Sequence, residues 1–104
     1  MNRETIKKKI KETISKEIKS AEVILFGSKA RGTDTKESDW DILVLIDQPE
    51  VTFKDEQSVR HKLYDVELEV EEPFSTFVYS TSVWNSKMKE TPFYKNVKKE
   101  GIYL

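Results

Sequence analysis

The sequence predicts a single α/β or α+β domain built around a small sheet. Segments with helical apolar spacing alternate with short runs of β-branched residues, which is typical of helices that cover a sheet. The chain has 104 residues, enough for one hydrophobic core and too few for two. No internal repeat or low-complexity tract interrupts the alternation. We therefore expect one domain spanning residues 1–104.

The first half predicts a helix followed by two strands. A helix is expected from about residue 3 to 19, because isoleucines recur at every fourth position between lysines and glutamates, at Ile6, Ile10, Ile14 and Ile18. The run EVILFG predicts a buried strand from Val23 to Phe26, and WDILVLID predicts a second one. The connection between the two strands contains Gly27, Gly32 and a cluster of Thr, Asp and Ser, and it is long enough for one helical turn and a loop. The two strands can therefore be neighbours.

The second half predicts a helix, a strand and a short closing helix. From Phe53 onward, apolar residues fall on one helical face at Val59, Leu63, Val66 and Val70. The end of this segment, VELEV, also alternates with period two, so a strand there remains an alternative. Pro73 ends the helix, and PFSTFVYS predicts a strand. The last helix is predicted by its end signals: Thr91 as N-cap, Pro92 at the first helical position and Gly101 just past the end.

Composition excludes several classes of protein. Lys plus Arg number 18 against 19 Asp plus Glu, and the net charge of -1 predicts no general nucleic-acid binding. The absence of cysteine excludes disulfides and thiolate metal sites, and is compatible with a reducing compartment. No apolar run approaches the roughly 20 residues that span a bilayer. We expect a soluble, cytoplasmic protein.

Asp39 and Asp41 are the first candidate functional residues. They stand two apart at the start of a predicted strand, so both carboxylates leave the same face while Trp40 and Ile42 leave the other. Paired carboxylates repel one another unless a cation lies beside them, and hard oxygen ligands select Mg²⁺ or Mn²⁺ over zinc. The pair predicts a divalent metal site, although an isolated D-x-D can also simply begin a strand at a solvent edge.

Gly27 and Ser28 are the second candidate feature. They follow the first strand directly and would open a helical turn, whose free backbone N–H groups, together with the Ser28 hydroxyl, form a cradle for phosphate oxygens. Glycine leaves room for the phosphates to approach. Lys29 and Arg31 add positive charge, though on so short a turn one of them can point to water instead. An anion cradle beside a metal pair suits a nucleoside triphosphate.

These residues carry a family resemblance. The motif consists of Gly27-Ser28, a gap of ten residues and then Asp39-x-Asp41, with GSKARG and SDWD inside. It resembles the signature of the DNA polymerase β-like nucleotidyltransferase superfamily. The short chain is similar to the minimal nucleotidyltransferase (MNT) domains, the MntA-like antitoxins of prokaryotic HEPN-MNT modules. The resemblance implies a mixed sheet flanked by helices, with the polymerase β-like fold. It also places Ser38, within SDWD, among the nucleotide-binding residues.

The resemblance implies a reaction as well as a fold. A hydroxyl would attack the α-phosphorus of a nucleoside triphosphate, with ATP as the expected donor, and pyrophosphate would leave. Gly27 and Ser28 would hold the triphosphate, and Asp39 and Asp41 would hold two Mg²⁺ or Mn²⁺ ions that stabilise the attacking and leaving oxygens. The implied partner is a HEPN-domain toxin, with one of its tyrosines as acceptor, and homo- or hetero-oligomers are compatible with this arrangement.

One part of the family pattern is absent. A third carboxylate is expected on a later strand, where it would complete the metal site and help deprotonate the nucleophile. The aligned position is Ser75, which carries no charge. If VELEV is extended, Glu67 and Glu69 share a face and Glu69 is the proposed substitute; otherwise these glutamates form a solvated face. The absent carboxylate makes a weakened nucleotide-binding or antitoxin subunit an alternative to a protein-modifying enzyme. Modification of a small molecule is a further alternative, for which so short a chain would need a partner or a second domain.

The remaining candidates are assigned to structure. His61, the single histidine, lies among charged residues and is expected on the surface. The large aromatic residues are expected in the core rather than in base stacking, because a small domain needs their area; they are Trp40, Phe74, Phe77, Trp84 and Phe93.

Overall fold

The computed structural model describes residues 1–104 and contains five helices and four strands. The helices are α1 (Arg3–Glu17), α2 (Gly27–Arg31), α3 (Phe53–Val70), α4 (Thr81–Asn85) and α5 (Pro92–Glu100). The strands are β1 (Ala21–Phe26), β2 (Trp40–Ile46), β3 (Phe74–Ser80) and β4 (Ile102–Tyr103). The predicted fold class is confirmed.

The four strands form one mixed sheet in the order β3-β2-β1-β4. β1 runs antiparallel to β2, with Phe26 opposite Asp41. β3 runs parallel to β2, with Ser75 beside Asp41. The end of β1 and the starts of β2 and β3 therefore meet at the same edge of the sheet. This edge is where the candidate residues predicted from the two half-motifs come together.

Helices cover both faces of the sheet. On one face α1 packs against β1 and α3 packs against β3, and the core between these helices and the sheet includes Ile10, Trp40 and Leu63. On the other face α4 and α5 supply Trp84 and Val97 to a smaller core. β2 is one of the two inner strands and is buried on both faces from Ile42 to Ile46, which explains its nearly continuous apolar sequence. None of the helices has the length and apolar character needed to cross a membrane.

The two long helices follow the predicted periodicity with adjusted ends. α1 ends at Glu17, because Ile18 leaves the helical region with φ -139°. α3 continues through VELEV to Val70, so the strand alternative for that segment is wrong. Its start is fixed by a capping box that Thr52 and Asp55 form reciprocally. Packing of Val66 and Val70 into the core selects the helix where the local pattern fitted both structures.

Two short elements were not predicted. α4 begins where the Ser80 hydroxyl accepts a hydrogen bond from the Val83 N–H, and it brings Trp84 onto the sheet. β4 has only two residues and pairs with β1 at the open edge of the sheet. Gly101 lies just past the end of α5 as predicted, but the reason for a glycine there is space: its φ is -66°, and a Cβ would lie 2.8 Å from Ile24 Cγ2. Elements this short depend on distant partners rather than on local propensity.

Candidate functional site

Asp39 and Asp41 lie at the start of β2 on one face of the sheet. Trp40, between them, is buried in the core beneath α1 and α3, so the two aspartates face the opposite side, as strand alternation predicts. Ser75 is the register partner of Asp41 on β3. Its hydroxyl donates a hydrogen bond of 2.7 Å to Asp39 Oδ2. The position expected to hold a third carboxylate therefore lies beside both aspartates and holds a serine hydroxyl.

The electrostatics of this pair favour a bound cation. Burial raises the pKa of the Asp41 carboxyl most, and the charge of Asp39 raises it further. Arg31 lowers this pKa, and Glu100 raises it by a smaller effect. Asp39 is exposed to solvent. The two carboxylates, which stand two positions apart on one face, repel each other when both are ionised, and a divalent cation beside them would relieve this repulsion.

Gly27 directly follows the end of β1 and lies against the side chain of Asp41. Its φ of +74° lies in the left-handed region, which side chains with a Cβ disfavour. A Cβ at this position would also overlap the Asp41 carboxylate, with Oδ2 as the closest atom. The sequence argument explained this glycine by the approach of phosphates. The structure adds a reason within the protein: the glycine lets the first turn of α2 lie directly against Asp41.

The start of α2 presents its polar groups beside Asp41. The Gly27 N–H donates to Glu100 Oε1 at 3.2 Å, and Arg31 Nη1 donates to Glu100 Oε2 at 2.8 Å. The Ser28 carbonyl accepts from the N–H groups of Gly32 and Thr33, which closes the helical turn. Gly27, Ser28 and Arg31 are thus placed on one short turn next to the aspartates. Glu100 was not anticipated, since nothing in its local sequence marks it; only the packing of α5 against α2 brings it here.

Lys29 is not part of this cradle, which corrects the sequence assignment. The residue is buried, and its ammonium group lies 3.2 Å from Asp34 Oδ2 and 3.3 Å from Glu72 Oε1. It also lies 5.2 Å from the centroid of the Trp40 ring, on the side of β2 away from the aspartates. The Arg3 hydrogen bond, with help from Lys29, lowers the pKa of Asp34 to about 2. Lys29 thus belongs to an internal ion-pair network.

Replacing Lys29 is expected to destabilise the fold. Lys29→Ala leaves Asp34 and Glu72 without their shared ammonium partner and opens space above Trp40, so we expect a loss of about 2 kcal/mol in unfolding free energy. Lys29→Met keeps the apolar stem and should lose less. Urea denaturation measures both, with the exposed Lys36→Ala as the matched control. Equal stability of Lys29→Ala and Lys36→Ala would show that the network contributes nothing.

Ser38 and Glu69 make contacts within the protein that the sequence did not predict, and nucleotide binding by Ser38 stays a prediction. The Ser38 hydroxyl accepts a hydrogen bond of 2.9 Å from the Thr35 N–H and so shapes the loop that leads into Asp39. Glu69 lies on helical α3, half exposed, and its carboxylate pairs with Lys9 at 2.7 Å. The extended conformation that would have made Glu69 a substitute carboxylate does not form. Glu67 is likewise engaged, accepting from the Phe74 N–H at 2.7 Å.

The residues fit a divalent cation as a two-carboxylate site. No group of three or more His, Cys, Asp or Glu side chains is arranged to hold a metal ion. Asp39 and Asp41 nevertheless supply hard oxygen donors on one face, and burial, followed by the charge of Asp39, raises the pKa of the Asp41 carboxyl. A phosphate-bearing ligand would supply further oxygen donors, which is how Mg²⁺ is commonly bound at substrate phosphates.

The remaining predicted positions are structural. His61 is exposed on α3, as expected. Trp40 and Trp84 are buried. Phe77 departs from the expectation: its ring packs against Phe26 and Phe93, with centroid separations of 5.7 and 5.2 Å, yet the residue remains 37% exposed.

Comparison with known proteins identifies this architecture. The family model described as nucleotidyltransferase domain matches residues 7–104. Among solved structures, a toxin-antitoxin crystallised with AMP-PNP superposes with a TM-score of 0.67 and 22% sequence identity, covering 92% of this chain and 69% of that one. At that identity the superposition establishes the fold. No curated protein matches the chain. The chain thus carries the sheet, the Gly-Ser turn and the paired aspartates within the matched region, and it belongs to the nucleotidyltransferase domain family.

Proposed function

We propose that this domain is a metal-dependent nucleotidyltransferase that moves a nucleoside monophosphate from a nucleoside triphosphate to a hydroxyl group of a partner protein. The observation that supports the proposal best is the direct contact between Gly27 and Asp41. That contact brings the turn suited to phosphate oxygens against the carboxylate pair suited to a divalent cation. Membership of the nucleotidyltransferase family agrees with this chemistry.

The chain's own residues have distinct roles in the proposed reaction. The acceptor oxygen forms a bond to the α-phosphorus, the bond from that phosphorus to the bridging oxygen breaks, and pyrophosphate leaves. The acceptor hydroxyl gives up its proton to a water molecule of the surrounding solvent as its bond to phosphorus forms. The Gly27 N–H and the hydroxyl of Ser28 hold the departing phosphates, and Arg31 compensates their charge. Asp39 and Asp41 hold Mg²⁺ or Mn²⁺, which supply Lewis-acid stabilisation of the reacting oxygens when bound.

The partner is proposed to be a HEPN-domain toxin, with this chain as its antitoxin and a tyrosine of the toxin as acceptor. The resemblance to minimal nucleotidyltransferase domains supports this assignment. The similar solved structure is a toxin-antitoxin with AMP-PNP, which agrees with the same biological setting and with ATP as the nucleotide. In this role the domain would silence its partner by covalent modification.

Label transfer tests the proposal directly. The protein is incubated with α-labelled ATP, Mg²⁺ and the protein encoded by the neighbouring gene, and the expected result is label on the partner with release of pyrophosphate. A parallel sample with EDTA should show no label on the partner. Without a metal ion, the negatively charged aspartates cannot offset the negative charge that develops on the reacting oxygens. Failure to label the partner, or labelling that persists with both Asp39 and Asp41 changed to alanine, would refute the proposal.

A second candidate function is favoured by Ser75. It lies in register beside Asp41, and its hydroxyl can hydrogen-bond to Asp39 but brings no charge to a metal. In this second function the domain would bind the nucleotide and its partner protein without catalysing transfer. Calorimetry with Mg²⁺ and ATP beside a turnover assay separates the two functions: binding without transfer supports the second, and efficient transfer excludes it.

A further inference from the structure

Glu100 reaches from the end of α5 into the cradle formed by α2. Its two carboxylate oxygens have separate partners: Oε1 accepts from the Gly27 N–H at 3.2 Å, and Oε2 accepts from Arg31 Nη1 at 2.8 Å. The Glu100 side chain is only 20% exposed, whereas that of Arg31 is 49% exposed. A single anion therefore already bridges the backbone donor and the guanidinium group beside Asp41.

These two donors are the groups that the proposed function assigns to a phosphate. A carboxylate and a phosphate both present two oxygens to paired donors, and each makes charge-assisted hydrogen bonds with them. Glu100 also adds a third negative charge near Asp39 and Asp41, which disfavours any further anion while it remains there. We propose that Glu100 is a built-in competitor of the triphosphate, so that nucleotide binding requires its carboxylate to leave Gly27 and Arg31. This inference rests on the proposed function.

The surrounding packing indicates how Glu100 is displaced. The next residue, Gly101, is held closely: a Cβ there would lie 2.5 Å from the Val97 carbonyl oxygen and 2.8 Å from Ile24 Cγ2. The main chain beyond Gly101 pairs with β1, through Leu25 opposite Ile102. The backbone at Gly101 is thus held in place, so displacement of the carboxylate requires rotation of the Glu100 side chain toward solvent. In the nucleotide-free protein it satisfies the Gly27 N–H and compensates the charge of Arg31.

Two variants of Glu100 test the competition. Glu100→Gln removes the charge, and Glu100→Asp keeps the charge but shortens the side chain by one methylene, so that the carboxylate withdraws from the cradle. Both should bind Mg²⁺ and AMP-PNP about threefold to tenfold more tightly than the wild type, as expected when one charge-assisted contact no longer has to be broken. Calorimetry gives the affinities. Glu90→Gln, which removes an exposed charge from the turn before α5, is the matched charge control.

A nucleotide-free measurement makes the contact itself observable. The amide signal of Gly27 in a ¹H,¹⁵N spectrum should shift in both Glu100 variants and stay in place in Glu90→Gln. Thermal melting of each variant verifies that the domain remains folded. Unchanged affinity in Glu100→Gln and Glu100→Asp, with wild-type binding intact, would overturn the inference and leave the proposed function standing. Equal tightening by Glu90→Gln and Glu100→Gln, without tightening by Glu100→Asp, would also overturn it, since net charge would then explain the effect. No binding by any variant would overturn the proposed function and the inference together.

Discussion

Changing either aspartate to asparagine is expected to reduce nucleotide transfer at least about 100-fold, because residues that only support a metal ligand already cost 10 to 100-fold when changed. Asparagine preserves the shape of the side chain and removes the charge that would hold a divalent cation. Each of the single variants Asp41→Asn and Asp39→Asn should therefore lose transfer activity, and raising the Mg²⁺ concentration should not restore it. The measurement is the rate of label transfer from ATP at saturating nucleotide.

Stability supplies the control for these variants. The pKa of Asp41 is raised in the folded protein, first by burial and then by the charge of Asp39. A carboxyl whose folded pKa exceeds its unfolded pKa binds its proton more tightly in the folded state, so stability falls as pH rises from the unfolded pKa through the folded one. At neutral pH the ionised Asp41 thus opposes folding. Asp41→Asn should melt no lower than the wild type, and wild-type transfer by this stable variant would refute the role of Asp41.

Gly27→Ala is expected to cost both stability and nucleotide binding. A Cβ at this left-handed position costs about 1 to 2 kcal/mol in backbone strain, and it also overlaps the Asp41 carboxylate, so the total loss should be about 2 kcal/mol or more. For a domain of this size, each kcal/mol lowers the Tm by about 4 to 8 °C. Displacing the carboxylate should also weaken binding of Mg²⁺ and AMP-PNP. Calorimetry and thermal melting check the two effects.

Gly32→Ala is the matched control for Gly27→Ala. Gly32 has nearly the same φ, +77°, but a Cβ there would meet nothing within 4 Å. The two variants therefore share the backbone strain, and only Gly27→Ala disturbs Asp41. We expect Gly32→Ala to lose stability while keeping wild-type nucleotide affinity. Equal affinity in both variants would show that the contact between Gly27 and Asp41 does not organise the binding site.

The local sequence was sufficient for those parts of the protein that depend on nearest neighbours. The isoleucine spacing predicted α1, because its apolar residues form one buried face. The short continuous apolar runs predicted β1 and β2, which are largely buried. The Gly-Ser turn and the spaced aspartates were also readable, since they combine a required backbone shape with charged side chains. Where one stretch fitted two structures, as in VELEV, burial of Val66 and Val70 decided in favour of the helix.

The roles of the charged side chains required the tertiary structure. Lys29 and Arg31 are two residues apart on α2, yet one is buried against Trp40 with Asp34 and Glu72, and the other binds Glu100 beside the aspartates. Long side chains find partners that lie far away in sequence: Glu100 is 73 positions from Gly27, and Glu69 is 60 from its partner Lys9. Sequence by itself determined three strands of the sheet, the main helices and the two half-motifs. Only the packing of α5 and α3 decided which charges meet there, because ion pairs depend on distance in space and not on spacing along the chain.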